Sequence, residues 1–313
     1  MRLQATRVVA SLFLATALLA ASCARRESVR TNQASFDSPD AVVTALVTAV
    51  EHRDRGELAR LLGPGTEALL SSGDAVADST AREAFLAKYQ VKHELAAGGP
   101  DDLVLRIGDD GWPFPIPIVR REGRWFLDGA AGADEILSRR IGGNELRTIE
   151  VMHGFVEAQR EYAAASHDGA PAGAYAHTIR SDAGKHNGLY WEVAPGEPQS
   201  PAGPLLAAGA AEGYKEGAAT GAGYHGYRFQ VLTAQGAAAE GGAQGYMVAD
   251  RLVGGFALVA WPANYGVSGV TTFLVNQDGV VWQRDLGDGT EQAASSITQF
   301  DPDSTWTPIP SEE

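Results

Sequence analysis

Residues 144–162 read Asn144-Glu145-Leu146-Arg147-Thr148-Ile149-Glu150-Val151-Met152-His153-Gly154-Phe155-Val156-Glu157-Ala158-Gln159-Arg160-Glu161-Tyr162. Leu146, Ile149, Val151, Met152, Phe155 and Val156 recur at helical spacing, with Glu150, Glu157, Arg160 and Glu161 largely opposite. This predicts an amphipathic helix with a layer to cover. Beyond Tyr162 the chain turns to loop and strand. The stretch 166–223 is rich in Gly, Ala and Pro, and a short helix is expected over 205–214, because a structureless connection of that length is foreign to a compact domain. Residues 224–232, 254–261 and 269–275 then predict strands, with 234–245 as a flexible turn. Asn276-Gln277-Asp278-Gly279 predicts a tight turn into Val280-Val281-Trp282. A long helix packed on such an antiparallel meander is an α+β arrangement.

Working back toward the N-terminus, residues 132–163 predict a helix in two parts, and the interrupting Gly142-Gly143 marks the expected domain boundary. A second helix-then-strand series precedes it. Ser38-Pro39-Asp40 places an N-cap before a proline at the first helical position, and Val42, Val43, Leu46, Val47 and Val50 come after it at helical spacing. Further helices are expected over 55–62, stopped by Gly63-Pro64-Gly65, and over 79–95, with Phe85, Leu86, Tyr89 and Val91 as apolar content. Strands are expected over 102–107, 114–119 and 124–127, the last two joined by the hairpin turn Arg120-Arg121-Glu122-Gly123. In Trp112-Pro113-Phe114-Pro115-Ile116-Pro117 the alternating prolines remove donors, which suits the edge of a sheet.

The first residues carry an address. Arg2 and Arg7 form a positive start, 8–21 are almost uncharged and apolar, and Ala20-Ala21-Ser22 precede Cys23, the chain's only cysteine. That is the length of a signal-peptide core and short for a membrane span. The segment admits two readings, simple secretion or cleavage before Cys23 with acylation of its thiol, and position favours the second. Ala20 departs from the Leu usual three residues before a lipoprotein cysteine. The expected organisation is therefore 1–22 signal peptide, 23–37 lipidated linker, 38–142 N-terminal α+β domain and 143–313 C-terminal helix plus antiparallel sheet. The expected location is the cell envelope, on the periplasmic side of the outer membrane in a Gram-negative cell, or the periplasm or exterior if no lipid is added. A single cysteine excludes intramolecular disulfides and cysteine-ligated metal sites. The formal charge of −14, from 25 Lys and Arg against 39 Asp and Glu, repels phosphate backbones and argues against nucleic acid as a partner.

Several multi-residue blocks carry a resemblance over nearly the whole chain after Cys23: Leu70-Ser71-Ser72-Gly73-Asp74, Gly111-Trp112-Pro113-Phe114-Pro115-Ile116-Pro117, Gly188-Leu189-Tyr190-Trp191, Tyr224-His225-Gly226-Tyr227, Gly255-Phe256-Ala257-Leu258-Val259-Ala260-Trp261-Pro262 and Tyr265-Gly266-Val267-Ser268-Gly269-Val270. Together they resemble the bacterial family called domain of unknown function 2950, which implies an exported protein and brings no chemistry. By element order alone, 38–130 is similar to the nuclear-transport-factor-2-like superfamily, a helix pair on a curved sheet. The helix ending at Tyr162 and the meander ending near Val281 distantly resemble the globular part of type IV pilins and pseudopilins. The charged Asp134, Glu135, Arg139 and Arg140 before that helix depart from a filament-forming pilin.

Catalytic motifs do not emerge. The seven histidines include no His-Glu-x-x-His pair, so no metal site or cofactor is expected. Gly221-Ala222-Gly223 opens no phosphate-binding helix, and Ser268 in Gly266-Val267-Ser268-Gly269 lacks the spacing of a nucleophile elbow. The candidate binding cluster is Tyr190, Trp191, Tyr224, His225 and Tyr227, whose polar-tipped rings either line a groove for a sugar, peptide or partner surface or fill a core. Strand alternation would put His225, Tyr227 and Phe229 on one face. The leading expectation is a non-catalytic envelope protein that binds or scaffolds a partner protein, held to the membrane through an N-terminal lipid. Alternatives are a small-ligand carrier using a cavity in the N-terminal domain, and a hydrolase using His225 or His186.

Overall fold

The computed structural model describes residues 33–99, 101–194, 196–211 and 223–310. The expected signal peptide, Cys23, most of the expected linker and the end of the helix expected over 205–214 lie outside them. The chain forms two compact units. One comprises the described residues up to Leu70 together with Arg82–Ile136; the other comprises Ser71–Ala81 and Leu137 onward.

In the first unit, helix α1 (Pro39–Glu51) starts as its sequence requires. Ser38 is extended, its Oγ accepts from Ala41 N–H at 3.2 Å, and Pro39 occupies the first turn. Asp54 caps α2 (Arg55–Leu62) by accepting from Glu57 N–H at 2.9 Å. Folding begins earlier than Ser38. Gln33 Nε2 donates to Leu61 O and Leu127 O, Ala34 is buried, and Phe36 exchanges two backbone bonds of 2.9 Å with Trp125. The end of the supposed spacer is thus a sheet-edge segment.

Helix α3 (Ala75–Val91), whose residues from Arg82 belong to this unit, is shifted from the expected 79–95. Gly108 N–H donates to Lys88 O and Lys92 O, closing the helix end. The next residues form strand β1 (His93–Ala97), paired antiparallel with β2 (Asp102–Ile107). With β3 (Trp112–Pro113), β4 (Ile118–Arg121) and β5 (Arg124–Leu127) they build an antiparallel sheet of order β1-β2-β4-β5, with β3 on β2. The β4–β5 hairpin turns on Glu122 (φ 50°) and Gly123 (φ 78°), a two-residue turn with both central residues left-handed. Val42, Val43, Leu46, Leu61, Leu105, Ile107, Ile116, Ile118 and Leu127 are buried between helices and sheet.

Helix α4 (Gly129–Ala163) runs without a break through Gly142-Gly143, and the two units divide inside it, between Ile136 and Leu137, rather than at that pair. Glycine in a helix interior costs about 1 kcal/mol against alanine and need not end it when the flanking turns are held by packing. In the second unit α4 buries Val151, Met152, Phe155, Val156, Ala158 and Tyr162, so the amphipathic reading holds for that stretch. Leu146 does not join them and is 65% exposed. Five residues before Val151 is a rotation of about 140° at 3.6 residues per turn.

The meander comprises β6 (Tyr227–Leu232), β11 (Ala257–Pro262), β12 (Thr271–Asn276), β13 (Trp282–Asp285) and β14 (Thr307–Pro308), all antiparallel, in the order β14-β13-β12-β11-β6. Every residue of β11 is buried, as the continuous apolar run requires of a central strand. Gly279 (φ 84°) makes the turn after β12, its N–H donating to Asn276 O. Helix α5 (Gly203–Ala211) precedes the meander, and α6 (Thr290–Ser295) packs on the face carrying Arg228, Gln230 and Trp261. Residues 234–245 are not a free turn. β7 (Ala234–Gln235) pairs with β8 (Gln244–Gly245), and buried Gln235 donates to Glu240 O (2.7 Å) and Gly242 O (2.8 Å) while accepting from Tyr246 OH (2.8 Å). A second small hairpin, β9 (Met247–Val248) with β10 (Arg251–Leu252), comes next.

Candidate functional site

Tyr190 and Trp191 lie on the loop leaving α4, and that loop is locked to the helix by one residue. Gln159 is fully buried; its Nε2 donates to Ala176 O (2.7 Å) and its Oε1 accepts from Ala176 N–H (2.9 Å). Farther on, Ser181 N–H donates to Tyr190 O and Tyr190 N–H to Ile179 O, each at 2.8 Å, and the Arg180 guanidinium lies 4.8 Å over the Tyr190 ring. Gly188 permits this approach, since a Cβ there would sit 2.6 Å from Ser181 N.

Trp191 belongs to a ladder of four rings that sequence spacing did not bring together. Tyr162 stacks on His167 (4.1 Å, 22°), His167 tilts against Trp191 (5.5 Å, 52°), and His186 stacks on Trp191 (4.3 Å, 23°). The ladder runs from buried Tyr162 through half-buried His167 and Trp191 to exposed His186. Its two ends are tied. Tyr162 OH donates to His186 O at 2.8 Å, and Asp168 Oδ2 accepts from His186 N–H. Asp168 holds a left-handed backbone (φ 45°), a strain of about 1 kcal/mol that the surrounding bonds must offset. Burial, with the nearby Asp168 charge, pushes the Tyr162 phenol above its ordinary pKa and keeps it a donor.

Tyr224, His225 and Tyr227 occupy a different setting. Tyr224 and Tyr227 exchange both backbone bonds (2.8 and 3.0 Å), with His225 (φ 51°) and Gly226 (φ 74°) left-handed between them. The segment is therefore a tight hairpin turn, and the expected alternation from His225 through Phe229 fails because the strand starts only at Tyr227. Gly226 is required there: a Cβ would lie 2.8 Å from Asn144 Nδ2 and 2.9 Å from Ser268 Cβ. Tyr224 tilts against His225 at 4.2 Å, and His225 is 5% exposed. Tyr227 is a core ring, fully buried, its OH donating to Thr271 O at 2.9 Å. Burial first, and the Glu145 charge second, push its phenol far above the ordinary value.

The polar groups beside this turn are committed to structure. Glu145 Oε1 accepts from Val270 N–H and Thr271 N–H, each at 3.0 Å, and lies 3.4 Å from Tyr227 OH. Ser268 Oγ accepts from Asn264 N–H (3.0 Å) and donates to Asn264 O (3.2 Å), and Asn144 Nδ2 donates to Ser268 O at 2.8 Å. A hydroxyl and a carboxylate engaged in this way hold the start of β12. Among the described residues no group of three or more His, Cys, Asp or Glu is arranged to hold a metal ion, and no helix is long and apolar enough to cross a membrane.

Helices laid on antiparallel sheets in two units define an α+β protein, with its half-exposed rings carried on the loop after the long helix. This chain belongs to the family described as "Protein of unknown function (DUF2950)", which it matches over residues 33–309. No curated protein and no solved structure matches it.

Proposed function

We propose that this is an exported envelope protein, tethered by a lipid on Cys23 to the periplasmic face of the outer membrane, that binds a partner protein and does no chemistry. One observation carries the binding reading: half-exposed Trp191, flanked by the imidazoles of His167 and His186, sits on a loop already fixed by Gln159 and Tyr162. A rigid aromatic anchor loses little conformational entropy on association, the usual mark of an interface hot spot. The address rests on the residues from Met1 to Cys23. A carrier role would need room in the first unit, where Leu105, Ile107, Ile116, Ile118 and Leu127 belong to one buried apolar cluster with the helices.

The test is affinity capture from solubilised membranes with the wild-type chain and with Trp191→Ala. A reproducible partner protein that the variant loses supports the reading. No companion, or the same companion held equally by both, refutes it. Cys23→Ser should leave the membrane fraction; retention there would refute the tether.

A further inference from the structure

We propose that the β12–β14 rim of the second unit is a second binding site, taking a neutral polyhydroxyl ligand of mono- or disaccharide size. The cross-strand register builds it. Thr271 is paired with Asp285 and Gln283 with Thr307, and in antiparallel pairs opposed side chains share a face, so these four stand together on one side of the sheet. Deeper in the same face, Phe273 lies opposite Gln283 and Ala260 opposite Phe273, so the surface changes from apolar core to polar rim within one strand pair. Thr305 completes a depression of about 360 Å³, the lower end of small-ligand sites, while Arg284, opposed to Thr272, belongs by register to the other face of the sheet and only edges it.

The lining chemistry selects the ligand class. The Thr271 and Thr307 hydroxyls and the Gln283 amide can each donate and accept, the Thr305 hydroxyl already donates to Asp303 and can only accept, and Asp285 only accepts. Asp285 is already oriented: Tyr265 OH donates to its two oxygens at 3.0 and 3.2 Å, and Gly287 N–H to Oδ1 at 2.7 Å. The bond to Asp285 holds the Tyr265 phenol above its ordinary pKa, so that orienting donor persists through neutral pH. An anion is disfavoured because Arg284, the one cation among the described residues lining the cleft, belongs by register to the opposite face and acts on Asp303, in a chain of net charge −14. A cation would find a single carboxylate among those same residues. Hydroxyl groups of a sugar satisfy both kinds of partner, accepting from Gln283 and from the Thr271 and Thr307 hydroxyls while donating to Asp285.

The test is hydrogen exchange of the full chain read by mass spectrometry, with cellobiose, maltose or N,N′-diacetylchitobiose, and with inorganic phosphate in a parallel arm. At least one disaccharide should slow exchange several-fold in peptides covering 271–285 and 303–308. Thr307→Val and Gln283→Ala, both half- or fully exposed positions, should remove that protection at unchanged melting temperature, and Trp191→Ala should leave it intact. The proposal is overturned if no disaccharide protects, if phosphate protects instead, or if both rim variants protect as well as wild type. Loss of protection in Trp191→Ala would assign the sugar to the ring ladder and overturn the separate site.

Discussion

Replacing Gln159 should release the loop that carries Trp191, and the cost can be worked from its geometry. Gln159 makes both of its bonds to one residue, Ala176, at 2.7 and 2.9 Å, with no exposed surface. Gln159→Ala strands one buried N–H and one buried C=O. Each unsatisfied group costs about 1–3 kcal/mol, and the vacated side-chain volume adds to this, giving about 3 kcal/mol in all. In a unit of this size that corresponds to a fall of about 6–12 °C in the midpoint of its thermal transition. Gln159→Glu separates the contributions. The carboxylate can still accept from Ala176 N–H, but it cannot donate to Ala176 O unless protonated, and burial raises its folded pKa above the unfolded value. A raised folded pKa contributes stability that is present below the unfolded pKa and lost as pH rises through the folded one. Gln159→Glu should therefore approach wild type in acid and weaken toward neutral pH. Urea unfolding followed by tryptophan emission, at acid and neutral pH, reads both variants. A destabilisation below about 1 kcal/mol for Gln159→Ala, or a pH-independent one for Gln159→Glu, would refute the claim that this side chain pins the loop.

Backbone and phenol geometry give two further expected outcomes. The β9–β10 turn places Ala249 (φ 47°) and Asp250 (φ 63°) in the left-handed region, so the pair Ala249→Asn with Asp250→Gly should raise stability by about 0.5–1 kcal/mol in the same urea assay. In alkali, Tyr246, pushed up to about 12 chiefly by burial, and Tyr227, pushed higher, should ionise after exposed phenols, as read by phenolate absorbance. Their unfolded counterparts ionise near the ordinary tyrosine value. The unfolded state therefore binds fewer protons above it, and stability should fall as pH rises past about 10.

Local chemistry was legible wherever one residue decided it. Ser38 and Asp54 announce their helices because a short side-chain oxygen satisfies an N–H that no helical carbonyl can reach, and Asn276 to Gly279 announces its turn because Gly279 tolerates a positive φ. Reading failed where a distant partner decided the outcome. His93–Leu95 looks like the end of a helix until β2 offers it a ladder and Gly108 closes α3. The Tyr224 to Tyr227 rings look like the start of a strand until Asn144 and Ser268 close around Gly226.

Sequence by itself determined the α+β class, the starts of α1 and α2, the apolar face from Val151 to Val156 and the family, because each rests on local periodicity, a single cap or ordered blocks of residues. Only the tertiary structure decided the candidate sites. Tyr162, His167, His186 and Trp191 meet through a folded loop, and Thr271, Gln283, Asp285 and Thr307 share a face through strand register. Contacts between residues far apart in the chain depend on which backbone partners close first in space, and no local pattern encodes that choice.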